Sequence, residues 1–143
     1  MKASVLLVHL VFVGVWLGCV LTEALFERAL LGQGRAQERI LVGLHKRVDV
    51  WIEIPAFVGV LISGSLLLSQ AAWSATLQAK IVFGLGAIAA NIYCVGLVFR
   101  RAQAAESGDW AKFEALDHLQ HKWGAVVLVA ILLALGLGVS LLI

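Results

Sequence analysis

The chain has 143 residues, 62% of them hydrophobic and 14% charged, with a mean hydropathy of +0.97. A soluble domain of this size cannot bury so much apolar surface, so the composition is that of a membrane protein, long enough for four spans of about 20 residues in one transmembrane domain over residues 1–143. A net charge of +2 gives no basis for nucleic-acid binding, and the two cysteines, both in apolar runs, form neither a disulfide framework nor a zinc ribbon.

Span 1 is predicted from about Ser4 to Phe26. Its apolar run follows a single lysine, as in a secretory leader. However, the run is long, no A-x-A site closes it and His9 interrupts it, so it reads as a retained span. Gly32 and Gly34 end this helix, and Gln37–Leu44 resumes helical spacing before span 2, Val48–Leu68. Pro55 is expected to bend span 2 and free a carbonyl. A short link over Ser69–Thr76 carries Trp73 as an interfacial anchor. Span 3 follows over Gln78–Phe99, then a Ser107-Gly108-Asp109 turn and cap, a helical approach over Asp109–Leu119 and span 4, Trp123–Ile143. The expected fold is an all-α four-helix membrane bundle. Spans 2 and 4 begin as helices outside the bilayer and run into it.

Nine of the eleven Lys and Arg fall in the connectors Glu27–Arg47 and Arg100–Lys122; only Lys2 and Lys80 lie on the other side. The positive-inside rule therefore puts both long connectors in the cytoplasm and both termini outside a bacterial-type inner (plasma) membrane. Short matches suggest an internal repeat of two hairpins: His9-Leu10-Val11-Phe12 with Lys80-Ile81-Val82-Phe83, and His45-Lys46 with His121-Lys122. Such hairpins are related by an axis along the membrane normal, which would make His45 and His121 equivalent.

All nine acidic residues and three of the four histidines gather at the connector end. Glu23 and Glu27 are one turn apart; His45, Asp49 and Glu53 form a stripe at four-residue spacing; Asp117 and His121 repeat that spacing beside His118. Bundle metal sites are built from such inward-facing Glu and His, and imidazole with carboxylate suits iron, zinc, copper or manganese. The leading expectation is a transition-metal centre for membrane redox chemistry or metal handling. Its ligands are drawn from Glu23, His45, Asp49, Glu53 and His121, then His118, Glu27 and Asp117. An alternative is a b-type haem held by His45 and His121, with a quinone, a porphyrin or another apolar molecule as substrate. A third reading is a transport or assembly subunit without catalysis. There Glu23 and Glu53 pair with Arg28, Arg47 or Arg100, and Glu27, Asp117 and His118 are solvated rim residues. His9 marks either a second contact site or a histidine bonded to a neighbour. Gly14, Gly18, Gly59, Gly64, Gly84, Gly86, Gly136 and Gly138 suit close helix approach and allow a homo-oligomer. The sequence carries no nucleotide loop and no C-x-x-C-H.

His9, Trp16 and Gly18, followed by His45-Lys46-Arg47, Ile54-Pro55-Ala56, Trp73 and Leu77-Gln78-Ala79-Lys80-Ile81, resemble the pattern of the HemJ-like and CopD-like four-span membrane proteins along nearly the whole chain. The resemblance implies haem-dependent porphyrinogen oxidation or copper handling. The chain departs from the pattern at Thr22-Glu23-Ala24-Leu25-Phe26, where HemJ-like proteins carry Leu-Pro-Arg-Leu-Phe, and at Glu53, where they carry a small or apolar residue. Both departures add metal-type ligands.

Overall fold

A computed structural model of the chain describes residues 2–141. In chain order it forms α1 (Lys2–Leu30), α2 (Arg35–Val48), a π turn (Asp49–Glu53), α3 (Ile54–Leu68), α4 (Ala75–Ser107) and α5 (Trp110–Ser140). The α2 helix, the π turn and α3 are one continuous helix, Arg35–Leu68. The result is an up-and-down arrangement of four helices, each long and apolar enough to cross a membrane, with no strand among the described residues. Apolar side chains such as Leu7, Leu25, Ile62 and Val82 point outward, as on a multi-pass membrane protein.

The turns are local decisions of the sequence. Gly32 adopts φ 74° and Gly34 φ 121°, a region that side chains with a Cβ avoid, and this reverses the chain within four residues. Gly108 at φ 74° ends α4, and the next residue, Asp109, caps α5 by accepting the Lys112 N–H at 3.1 Å. At the opposite end, the Ser74 hydroxyl accepts the Leu77 N–H at 3.2 Å and starts α4.

The π turn has a covalent cause. Pro55 lacks an N–H, so the Trp51 carbonyl one turn earlier has no α-helical partner. The Ile54 N–H reaches back to the Asp49 carbonyl, an i→i+5 bond. The expected bend at Pro55 is thus realised as one widened turn. Inside it, Asp49 and Glu53 are buried while Trp51 points out, 79% exposed.

Helices α4 and α5 pack along their whole length, α1 packs on α3 and α2 on α4, whereas α1 and α5 scarcely touch. In hydrocarbon, association relies on close van der Waals approach rather than on excluding water. The α4 interface is accordingly small-sided: Ala87, Ala90, Ala102, Ala104 and Ala105 are all buried. One apolar cluster joins Trp16, Phe57, Ala87, Ile88, Val127 and Ile131; a second joins Val42, Ala102, Ala105 and Phe113 at the connector end. A polar layer lies between them.

The α1–α3 crossing is tight. A Cβ on Gly59 would stand 2.7 Å from the Phe12 ring, whereas one on Gly84 meets nothing within 4 Å. Gly59→Ala should therefore lower the thermal midpoint in detergent, at an overpacking cost of about 1–3 kcal/mol. Gly84→Ala should leave it unchanged or raise it through a helix-propensity gain of up to ~1 kcal/mol.

Candidate functional site

The polar layer has two tiers. The tier nearer the connectors is organised by Arg101, which is fully buried on α4. Its Nη1 donates to Glu27 Oε1 at 2.8 Å and to Gln120 Oε1 at 2.9 Å, and it lies 3.0 Å from Asp117 Oδ1. The guanidinium also lies over the Phe113 ring, 5.1 Å from its centroid. Because the Gln120 oxygen accepts from Arg101, its amide nitrogen must face the other way, where it meets His45 Nδ1 at 3.2 Å. An amide nitrogen can only donate, so Nδ1 accepts and the neutral ring carries its hydrogen on Nε2. His45 is 1% exposed, and its Nε2 makes no hydrogen bond, although the Glu23 backbone carbonyl is near.

His121 is placed differently: its Nδ1 lies 3.0 Å from the Asp117 carbonyl oxygen, to which it must donate, and its Nε2 lies 3.9 Å from Glu27 Oε2.

The deeper tier is Glu23 on α1 with Asp49 and Glu53 from the π turn. Each offers a carboxylate oxygen, all within 4.8 Å of one another. Trp16 Nε1 donates to Asn91 Oδ1 at 3.3 Å, which turns the Asn91 amide nitrogen onto Glu53 Oε2 at 2.9 Å. Glu23 Oε1 and Asp49 Oδ2 are buried without a hydrogen-bond partner. Among the described residues no ion pair joins this tier to a basic side chain. Isolated carboxylates in an apolar medium are costly, so three together call for a proton or a bound cation.

Both tiers border a cavity of about 880 Å³. It lies where α1 and α5 part. Its outer rim carries Leu21, Leu25 and Arg28 on α1 and His121 and Ala125 on α5, all exposed.

Seven of the eight residues singled out from the sequence therefore meet at this site: Glu23, Glu27, His45, Asp49, Glu53, Asp117 and His121. His118 does not join them; it is exposed on α5 and belongs to neither tier. His45 and His121 occupy unlike settings, one buried and the other with a side chain 49% exposed. The buried arginine is Arg101 rather than Arg28, Arg47 or Arg100, and it serves Glu27 and Asp117 rather than Glu23 or Glu53. His9 is bonded to a neighbour: Nδ1 lies 2.9 Å from Ser63 Oγ, near the far end of the bundle.

Sequence reasoning passed over Arg101, Gln120, Asn91 and Trp16 as parts of the site. One signal was present: Asn91 and Val98, and likewise Cys94 and Arg101, are heptad-spaced, which puts Arg101 on the inner stripe of α4. Comparison with protein-family models, with characterised proteins and with solved structures finds no match. The likeness to the HemJ-like and CopD-like pattern thus rests on the residues quoted for it.

Removing Arg101 should leave Glu27 and Asp117 buried and uncompensated. Arg101→Met is expected to cost about 3–5 kcal/mol, read as a lower thermal midpoint in detergent. Adding Glu27→Gln should recover part of that loss; an unchanged midpoint in the single variant would refute the pairing.

Proposed function

We propose that this chain is a multi-pass inner-membrane metalloprotein whose connector end faces the cytoplasm and whose termini lie outside. Its metal centre is the Glu23–Asp49–Glu53 tier. The observation that carries this reading is the unequal distribution of compensating charge. Glu27 and Asp117 share Arg101, whereas among the described residues no basic side chain pairs with the three deeper carboxylates; each tier keeps two carboxylate oxygens without a hydrogen-bond partner. An all-oxygen donor set suits a hard divalent cation such as Mn(II) better than copper. In the tautomer that Gln120 imposes, His45 is not a ligand. It lies beside the centre as a hydrogen-bond donor. A neutral His121 presents a lone pair, but its partners Glu27 and Asp117 already hold a cation, Arg101. The function this arrangement supports best is metal handling at the membrane, with redox use open to a metal that changes valence.

A second reading, a b-type haem protein of HemJ-like character, draws support from one observation: His45 and His121 line the same cavity. Only a neutral His121 offers Nε2 as an axial ligand in the arrangement described. His45 would need its tautomer exchanged, with Glu27 Oε1, now 3.6 Å from Nδ1, as acceptor.

Chelator-stripped protein in detergent, titrated with Mn(II) and followed by elemental analysis and electron paramagnetic resonance, separates the two readings. One tightly bound ion per chain is expected. Glu53→Gln or Asp49→Asn should weaken binding at least ~10-fold, whereas His118→Ala should not. Full stoichiometry in Glu53→Gln would sink the assignment. A Soret band that shifts on reduction, in protein expressed with haem available, would replace it with the haem reading.

A further inference from the structure

We propose that the cavity between α1 and α5 is a binding site for a lipid-soluble molecule of the quinone class, which enters sideways from the bilayer and seats a ring carbonyl on the Nε2–H of His45. The site needs no ion on the deeper carboxylates, although Glu23, Asp49 and Glu53 line the same cavity, and it does not rest on the metal reading.

Three observations converge on it. The first is access: α1 and α5 scarcely touch, and the gap between them is bounded by Leu21 and Leu25 on one side and Gly124 and Ala125 on the other. A guest dissolved in hydrocarbon reaches the cavity without crossing water. The second is size. About 880 Å³ falls within the range of roughly 300–1,000 Å³ typical of small-molecule pockets, and apolar Val98 and Leu128 share its lining with the carboxyl groups of Glu23, Glu27, Asp49 and Glu53.

The third is polarity. Buried N–H groups are nearly always bonded, and leaving one unmade costs roughly 1–3 kcal/mol. His45 is 1% exposed, borders this cavity, and its Nε2 makes no well-formed hydrogen bond, with only the Glu23 backbone carbonyl near it. The relay Arg101→Gln120→His45 fixes Nε2 as the donor. A matching guest presents an acceptor. A carbonyl on an apolar body supplies one and, unlike a hydroxyl, brings no hydrogen that needs an acceptor of its own. Gln120 is therefore a positioning residue: it sets which polarity His45 offers.

The probes are decylubiquinone and its reduced quinol, which differ in the hydrogens on the ring oxygens, with the protein in nanodiscs and empty nanodiscs as the reference. Saturable binding of one oxidised probe per chain is expected. Gly124→Leu should reduce it at least ~10-fold while Mn(II) binding is retained, because a Cβ there enters open space and Leu is the better helix former. Gln120→Glu should exchange the His45 tautomer, weakening the quinone about tenfold, the worth of one hydrogen bond, relative to the quinol. The proposal is overturned by binding no greater than to empty nanodiscs, by a Gly124→Leu variant that binds as the parent does, or by equal loss of both probes in Gln120→Glu. A parent protein that binds decylubiquinone but not Mn(II) would overturn the metal reading and leave this one standing.

Discussion

Arg101 has no accessible surface, yet it carries a full charge among five carboxylates: Glu23, Glu27, Asp49, Glu53 and Asp117. In a low-dielectric interior such a charge persists only with close partners. It has two, Glu27 and Asp117, at 2.8 and 3.0 Å. One guanidinium cannot serve five acids, so the cluster divides. The tier Arg101 reaches has one cation shared by two carboxylates, and that shared contact joins α1, α4 and α5. The tier beyond its reach calls for protons on its carboxyl groups or for a bound cation. A salt-bridge network accounts for Glu27 and Asp117, and the three deepest acids lie outside it.

Two amides turn that charge pattern into defined hydrogen-bond polarity. Asn91 is held by Trp16 so that its nitrogen meets Glu53, and Gln120 is held by Arg101 so that its nitrogen meets His45. In both, an immobile donor claims the amide oxygen, so the other end can only give. Glu53 thereby receives a hydrogen bond that leaves its second oxygen free to face Asp49 and Glu23. His45 receives one that sends its own hydrogen toward the cavity. The two tiers thus differ in hydrogen-bond polarity, one rich in acceptors and the other offering a single donor, although they border one cavity.

Much of this was legible in the sequence. The four spans follow from hydropathy, the turns from Gly32, Gly34, Gly108 and the Asp109 cap, and the inward stripe from the spacing of His45, Asp49 and Glu53. The apparent equivalence of His45-Lys46 and His121-Lys122 misled for a physical reason. On α5 the inward position is Gln120, so the residue that bonds His45 is the neighbour of the one the repeat selects. Arg101 was hidden by the end of hydrophobicity at Phe99. The α4 helix continues to Ser107 as a bundle element, its Ala102, Ala104 and Ala105 packed against α2 and α5. A residue that hydropathy assigns to a solvated connector is therefore inside the protein. Charge counts along a chain cannot separate Arg100 from Arg101; only the helical face does, and that requires knowing that the helix goes on.

The π turn ties the backbone to this chemistry. Pro55 removes one N–H, and the widened turn that results is local to Asp49–Glu53, the segment carrying two of the three deep carboxylates. Widened turns cost hydrogen-bond quality and recur at functional sites. Here the cost has a visible return: Asp49 and Glu53 are 1% and 2% exposed, while the intervening Val50, Trp51 and Ile52 all face outward. The turn thus concentrates negative charge at one point of the interior while showing an unbroken apolar surface outside. Proline chemistry and carboxylate burial thus meet in one turn: the backbone departure that Pro55 causes falls on the two acids that the span hides.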